Sequence, residues 1–218
     1  MKNIRNLAAV VAVTGLLGSV NAANAAEASS IAKLYAEVGG VWSMDTEAKG
    51  EFTTENTAAT WDIGDMLGGK VQIGADFGKF RMDGKVRIVS GDVDDISNAT
   101  VVNSVVGGNG PDAILGVATA NIYFDIPVKG MEKNVVPYVG FGAGIARGFM
   151  QSQGLLTATG TTIREDHRGT GGLALAGMVG ALIPINDNFG ITAEYEYLDI
   201  DVGGADLHSF SVGLRMSF

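Results

Sequence analysis

The chain has 218 residues, a length that fits one domain, with a formal net charge of −9, 32 glycines and no cysteine. The missing thiols exclude a disulfide framework, thiolate catalysis and most structural zinc sites. The acidic balance, with only 15 lysines and arginines, excludes the clustered basic surface that nucleic-acid binding needs.

In chain order the first element is a targeting signal. Lys2 and Arg5 form a basic n-region, Leu7 to Leu17 an apolar core, and small residues come next. Ala23-Asn24-Ala25 is the preferred cleavage site, with Val20-Asn21-Ala22 and Ala26-Glu27-Ala28 as alternatives. The apolar run is shorter than the roughly 20 residues a spanning helix needs. The expected organisation is a signal peptide over 1–25 and one exported domain over 26–218. Losing Lys2 and Arg5 takes the net charge to −11. No later segment is an apolar run long enough for a spanning helix.

The exported part of the chain is dominated by alternation with period two. Leu34 to Trp42 opens the series. Val71, Ile73, Ala75 and Phe77 alternate with Gln72, Gly74, Asp76 and Gly78. Phe80, Met82, Gly84, Val86 and Ile88 alternate with Arg81, Asp83, Lys85 and Arg87. Ile114 to Ile126 is the next strand. Val139, Phe141, Ala143 and Ile145 then alternate with glycines. Leu173 to Ile183 faces away from Ala174, Ala176, Met178, Gly180 and Leu182. Ile191, Ala193, Tyr195 and Tyr197 oppose Thr192, Glu194 and Glu196. Phe210, Val212, Leu214, Met216 and Phe218 oppose Ser209, Ser211, Gly213, Arg215 and Ser217. Eight such strands, of about 8–14 residues each, suffice to cross a membrane at a tilt.

The connections sort by length. Ser43 to Gly69, Ser90 to Ala113 and Met150 to Arg168 are long; Gly78-Lys79 and Pro184 to Asn188 are short; Pro127 to Asn134 and Asp199 to Asp206 are intermediate. From a periplasmic N-terminus, the long connections and Asp199 to Asp206 all fall outside, as in outer-membrane barrels. These outer connections carry a net charge of −12, so an acidic crown caps a near-neutral wall. The expected fold is all-β: an eight-stranded antiparallel up-and-down transmembrane β-barrel.

The apolar face is expected to meet lipid. The polar face would then place Glu37, Asp76, Arg81, Asp83, Lys85, Arg87, Glu194, Glu196 and Arg215 in a narrow lumen, where charges of both signs can pair. Gly140, Gly142, Gly144 and Gly180 on that face leave room for larger interior residues, since eight strands enclose little space. Trp42, Tyr123, Tyr195, Tyr197, Phe210 and Phe218 are candidates for the interfacial belts.

Three motifs carry a family resemblance. Phe210-x-Val212-x-Leu214-x-Met216-x-Phe218 resembles the terminal signal read by the outer-membrane barrel assembly machinery. Pro137-Tyr138-Val139-Gly140-Phe141-Gly142-Ala143-Gly144 resembles the central strand of opacity-protein-like and porin-family surface antigens. Glu194-Tyr195-Glu196-Tyr197 resembles their penultimate strand. The resemblance implies an eight-stranded OmpA-type barrel in the cell outer membrane of a Gram-negative bacterium. It also implies a structural, surface-antigen or adhesin-like role.

No catalytic, cofactor or metal site is expected. Asp92-Val93-Asp94-Asp95 lacks the spacing of a calcium loop. Gly140-x-Gly142-x-Gly144 is followed by no helix and is not a dinucleotide fingerprint. His208-Ser209 invites comparison with lipid A deacylases, but adjacent strand residues point to opposite faces. His167 sits in a charged loop without an identifiable serine partner. The expected partners are outer-membrane lipid, lipopolysaccharide, the assembly machinery and a host or surface ligand on the long loops. The alternatives are a narrow diffusion channel, a lipid A-modifying enzyme and a soluble lipocalin-like carrier.

Overall fold

The computed structural model describes residues 32–44, 46–52, 57–97, 112–128, 130, 134–151, 155–156, 162–163, 170–201 and 205–218. The signal segment, its cleavage site and His167 lie outside the described residues. Eight long strands form the wall: β1 (Lys33–Ser43), β2 (Met66–Asp76), β3 (Phe80–Ser97), β4 (Asp112–Asp125), β5 (Val136–Gln151), β6 (Thr170–Pro184), β7 (Phe189–Ile200) and β8 (Ala205–Ser217). Each pairs antiparallel with its neighbours in sequence. β1 pairs with β8 from Tyr35↔Ser217 to Ser43↔Ser209, so the sheet closes on itself. No helix occurs among the described residues.

The register fixes the size of the cylinder. A path across the strands from Ser43 runs through Ser209, Glu196, Met178, Gly140, Tyr123, Arg81 and Asp76. It returns to β1 at Lys33, ten residues from its start. For eight strands this stagger sets a tilt of about 40° and a backbone radius of about 8 Å. All these residues have inward parity, so the path traces the rows of side chains that must share the lumen.

Short turns close the periplasmic end. Between β2 and β3 the Phe77 amide donates to the Phe80 carbonyl at 2.9 Å, and the Gly78 amide donates to Asp76 Oδ1 at 2.8 Å. Gly78 has φ +88° at the first central position of this two-residue turn, where a Cβ would be strained. Between β6 and β7, Asn186 Oδ1 accepts from the Asn188 and Phe189 amides, both at 2.9 Å, an Asx turn encoded by the asparagine side chain.

At the outer end all three long connections carry more strand than the alternation indicates. Within Ser43 to Gly69, Thr46–Phe52 pairs with Thr57–Ile63, and Thr57–Ile63 pairs in turn with the outer end of β3. β3 runs to Ser97, well past Ile88, and Leu155–Leu156 pairs with Thr162–Ile163 inside the third long connection. Above the bilayer a ladder still satisfies its backbone groups, but both faces meet water. The apolar alternation therefore has no reason to persist there.

The faces separate sharply. Leu67, Ile145 and Val212 are 66%, 65% and 62% exposed, whereas Glu37, Lys85 and Arg215 are 1%, 3% and 2% exposed. A wall this apolar is stable only against acyl chains, and a closed sheet leaves no unpaired edge in lipid. Tyr123 corrects the belt assignment: it has inward parity on β4 and is 1% exposed, inside the lumen.

This orientation makes a contrast testable in lipid vesicles. Val212→Lys or Leu214→Lys is expected to cost about 2–4 kcal/mol of unfolding free energy near mid-bilayer. Ser211→Lys, one residue away on the lumen face, is expected to cost clearly less. Equal losses in urea titrations would contradict the assignment of faces.

Candidate functional site

The lumen holds two ionic layers under an apolar one. The upper ionic layer draws Glu37 from β1, Lys70 from β2, Lys85 and Arg87 from β3, and Glu194 and Glu196 from β7. Lys70 Nζ lies 3.1 Å from Glu37 Oε1 and 3.3 Å from Glu194 Oε1. Lys85 Nζ lies 2.9 Å from Glu194 Oε1 and also pairs with Glu196 Oε2. Arg87 Nη1 lies 2.8 Å from Glu196 Oε1 and donates to Ser209 Oγ at 3.2 Å. Ser209 and Ser43 share a hydrogen bond of 2.8 Å across the β1–β8 seam. Thr192 donates to Glu37 at 2.6 Å and Tyr138 donates to Glu194 at 3.1 Å. Three cations thus face three carboxylates in one chain of contacts spanning the barrel, and the layer is neutral.

The lower layer lies towards the periplasm. Arg81 pairs with Asp125 at 2.9 Å, its guanidinium 4.4 Å from the Tyr138 ring centroid and 5.1 Å from that of Tyr123. Arg215 pairs with Asp76 at 2.8 Å and lies 3.7 Å over Tyr35. Asp83 accepts from the Tyr35 hydroxyl and the Asn121 amide, both at 2.7 Å. Stacking on tyrosine faces lets a guanidinium remain charged away from bulk water.

Glycines make these contacts sterically feasible. A Cβ on Gly140 would come within 2.5 Å of Tyr123 Cδ1, and one on Gly180 within 2.6 Å of the Tyr138 hydroxyl. One edge of the Tyr123 ring and the hydroxyl end of Tyr138 occupy the space a side chain would take at these positions. Beyond the upper ions, Val41, Met66, Val89, Val117, Leu198 and Leu207 are all buried and belong to one cluster at the outer end of the lumen. An ion entering from outside would have to cross this apolar layer before reaching the charges.

The structure brings Glu37, Lys85, Arg87, Glu194 and Glu196 together in the upper layer, and Asp76, Arg81, Asp83 and Arg215 in the lower one. Asp76, at the periplasmic mouth, retains 24% side-chain exposure. Sequence reasoning missed Lys70, 2% exposed and central to the upper layer. The alternation runs back through Lys70, Gly68 and Met66, but the sequence reading ends a long connection at Gly69 and takes the alternation only from Val71. Phe210, Val212, Leu214, Met216 and Phe218 all project outward and are 38–62% exposed. Ser209 points inward to Ser43 while His208 points outward to Tyr195, so the two do not form a dyad. Among the described residues no group of three or more His, Cys, Asp or Glu side chains is placed to hold a metal ion.

Breaking one member of the upper layer leaves buried charge uncompensated. Lys85→Met leaves three buried carboxylates facing two cations and is expected to lower stability in lipid by about 3–5 kcal/mol. Adding Glu196→Gln should recover part of that loss. Additive losses in the double-mutant cycle would show that the two residues do not interact.

Comparison with known proteins agrees with this geometry. The chain superposes on neisserial surface protein A with a TM-score of 0.57 and 13% identity, covering 85% of this chain and 97% of that one. It superposes on OprG of Pseudomonas aeruginosa with a TM-score of 0.58 and 13% identity, covering 86% and 96%. For Ail, the attachment invasion locus protein of Yersinia pestis, the TM-score is 0.51 at 15% identity, covering 86% and 99%. At such identities the likeness shows the fold alone. No curated protein sequence matches significantly. Residues 12–218, nearly the whole sequence, match the outer membrane protein beta-barrel domain. With a closed eight-stranded wall, a lipid-facing apolar surface and an ion-paired lumen, this chain belongs to the outer membrane protein beta-barrel family and resides in the bacterial outer membrane.

Proposed function

We propose that this protein is a surface-exposed structural barrel whose outer loops make its contacts, in the manner of an antigen or adhesin, and not a conduit. The observation that carries this reading is the filled lumen. The charged side chains are consumed by one another, and the apolar layer of Val41, Met66, Val89, Val117, Leu198 and Leu207 covers them on the outer side. Side chains that hold each other in place leave no continuous wet path. The parts free to meet an outside partner are the extracellular connections, which carry most of the negative charge.

In this reading residues 1–25 are removed on export, and the outward row Phe210 to Phe218 is what the assembly machinery reads. The acidic crown sits among lipopolysaccharide through shared divalent cations. Ail was solved with the heparin analogue sucrose octasulfate. The acidic loops here repel polyanions, so a sulfated glycan is not the ligand proposed for this chain. Among the described residues the lumen charges are engaged with each other, and His208 and Ser209 point to opposite faces, which supports a non-catalytic reading.

Planar-bilayer recording of the refolded protein tests the choice between barrel and channel. The expected result is no reproducible open state at moderate potentials. A steady conductance that Lys85→Met alters would restore the channel reading.

A further inference from the structure

The periplasmic mouth of the lumen holds a cavity of about 170 Å³, bordered by the start of β1, the end of β2, the β6–β7 turn and the end of β8. Its rim is held by the chain itself. The Ser217 amide donates to the Asn188 carbonyl at 2.7 Å, and Asn188 Nδ2 donates to the Ser217 carbonyl at 3.0 Å. These two bonds latch the β6–β7 turn to the last residues of β8. A Cβ on Gly190 would lie 2.8 Å from Leu182 Cδ1, so the bare backbone there makes room for the leucine. Leu182 and Pro184 supply apolar lining, and Lys33, Asp76, Asp187 and Arg215 supply charge.

Both cations of this lining keep donors to spare. Arg215 is 2% exposed. Its Nη2 lies 2.8 Å from Asp76 Oδ2 and its guanidinium sits 3.7 Å over the Tyr35 ring, yet Nε and Nη1 have no acceptor. A buried donor without an acceptor is rare in a folded protein. The other oxygen of Asp76 already accepts from the Gly78 amide. Lys33 Nζ donates to the Asp187 backbone carbonyl and forms no ion pair among the described residues. The cavity is thus bordered by a guanidinium with two unused nitrogens and an ammonium without a counter-charge. The Asp187 carboxylate is the one feature of the lining that opposes an anion.

We propose that this cavity binds the carboxylate of a small periplasmic ligand with a short apolar body. An ionised carboxylate offers acceptors only, and its charge-assisted bonds to an ammonium or a guanidinium are the strong ones. Leu182 and Pro184 receive the body. The volume is that of about five water molecules in the liquid, which limits the ligand to a small free acid or the last residue of a peptide. The latched turn and strand form the rim before the ligand arrives, so little ordering is left for binding to impose. The inference rests on the orientation that puts the β6–β7 turn in the periplasm. It does not depend on the role proposed for the outer loops.

The experiment uses the whole exported chain, labelled with ¹⁵N and refolded into bilayer nanodiscs. N-acetylalanine is titrated in at fixed ionic strength while the Arg215 Nε–H and Ser217 amide resonances are followed. Saturable shifts of both are expected, with none from the neutral N-acetylalaninamide. Acetate separates the two sources: an equal response assigns the site to free acids, a weaker one to peptide ends. Lys33→Gln, checked for the boiling-dependent gel shift of a folded barrel, should weaken binding about threefold. Asp187→Asn, checked in the same way, should tighten it. An equal response to the amide would overturn the inference. So would affinity unchanged in Lys33→Gln, or weakened in Asp187→Asn. A folded barrel whose Arg215 resonance ignores every carboxylate overturns it while leaving the proposed surface role intact.

Discussion

The structure depends on one constraint: in lipid, no backbone amide or carbonyl can be left without a partner. A sheet meets that demand by closing, and the ladder between β1 and β8 closes this one. Closing eight strands with a stagger of ten residues confines the inward side chains to a cylinder about 8 Å in backbone radius. The outward stripe must then be apolar, and the polar half of every strand must fit inside. Charges placed there are stable only as pairs, which is why Lys70, Lys85 and Arg87 meet Glu37, Glu194 and Glu196 with no net charge left over.

Space is as limiting as charge. Tyr35, Tyr123 and Tyr138 are among the largest fully buried side chains, and each supports or adjoins a guanidinium. The rings fit because Gly140, Gly180 and Gly74 stand where another residue would collide with Tyr123, Tyr138 and Tyr35 respectively. The same packing that makes the barrel stable also fills it. In the surface role proposed for this barrel, contact with other molecules falls to the outer connections.

Much of this was legible in the sequence. The alternation from Phe210 to Phe218 marks the strand, and its apolar face is read as outward from the mixed charges of the polar faces, among them Arg81, Asp83, Lys85 and Arg87, from the small residues beside them and from the terminal Phe218. Parity was equally available for Tyr123, whose place in the lumen is implied by the row Ile114 to Ile126; aromatic character alone pointed to the interface. Lys70 was missed because the strand was read from Val71, whereas Met66 to Lys70 already lie in the wall. What no local pattern reveals is who meets whom. Lys85 and Glu194 are 109 residues apart and touch only because the stagger brings β3 and β7 level across the lumen. The hairpin Thr46–Phe52 with Thr57–Ile63 was equally hidden, because above the bilayer both of its faces can be polar.

The native chain has no cysteine, so single cysteines can be introduced one at a time along β8 and spin-labelled in lipid vesicles. The most direct test of the central claim is the accessibility of each label to oxygen, which concentrates in acyl chains. High accessibility is expected at positions 210, 212, 214 and 216, with low values at 209, 211 and 217. The reverse pattern, or one with no period of two, would contradict a barrel whose apolar face meets lipid and whose charges are enclosed.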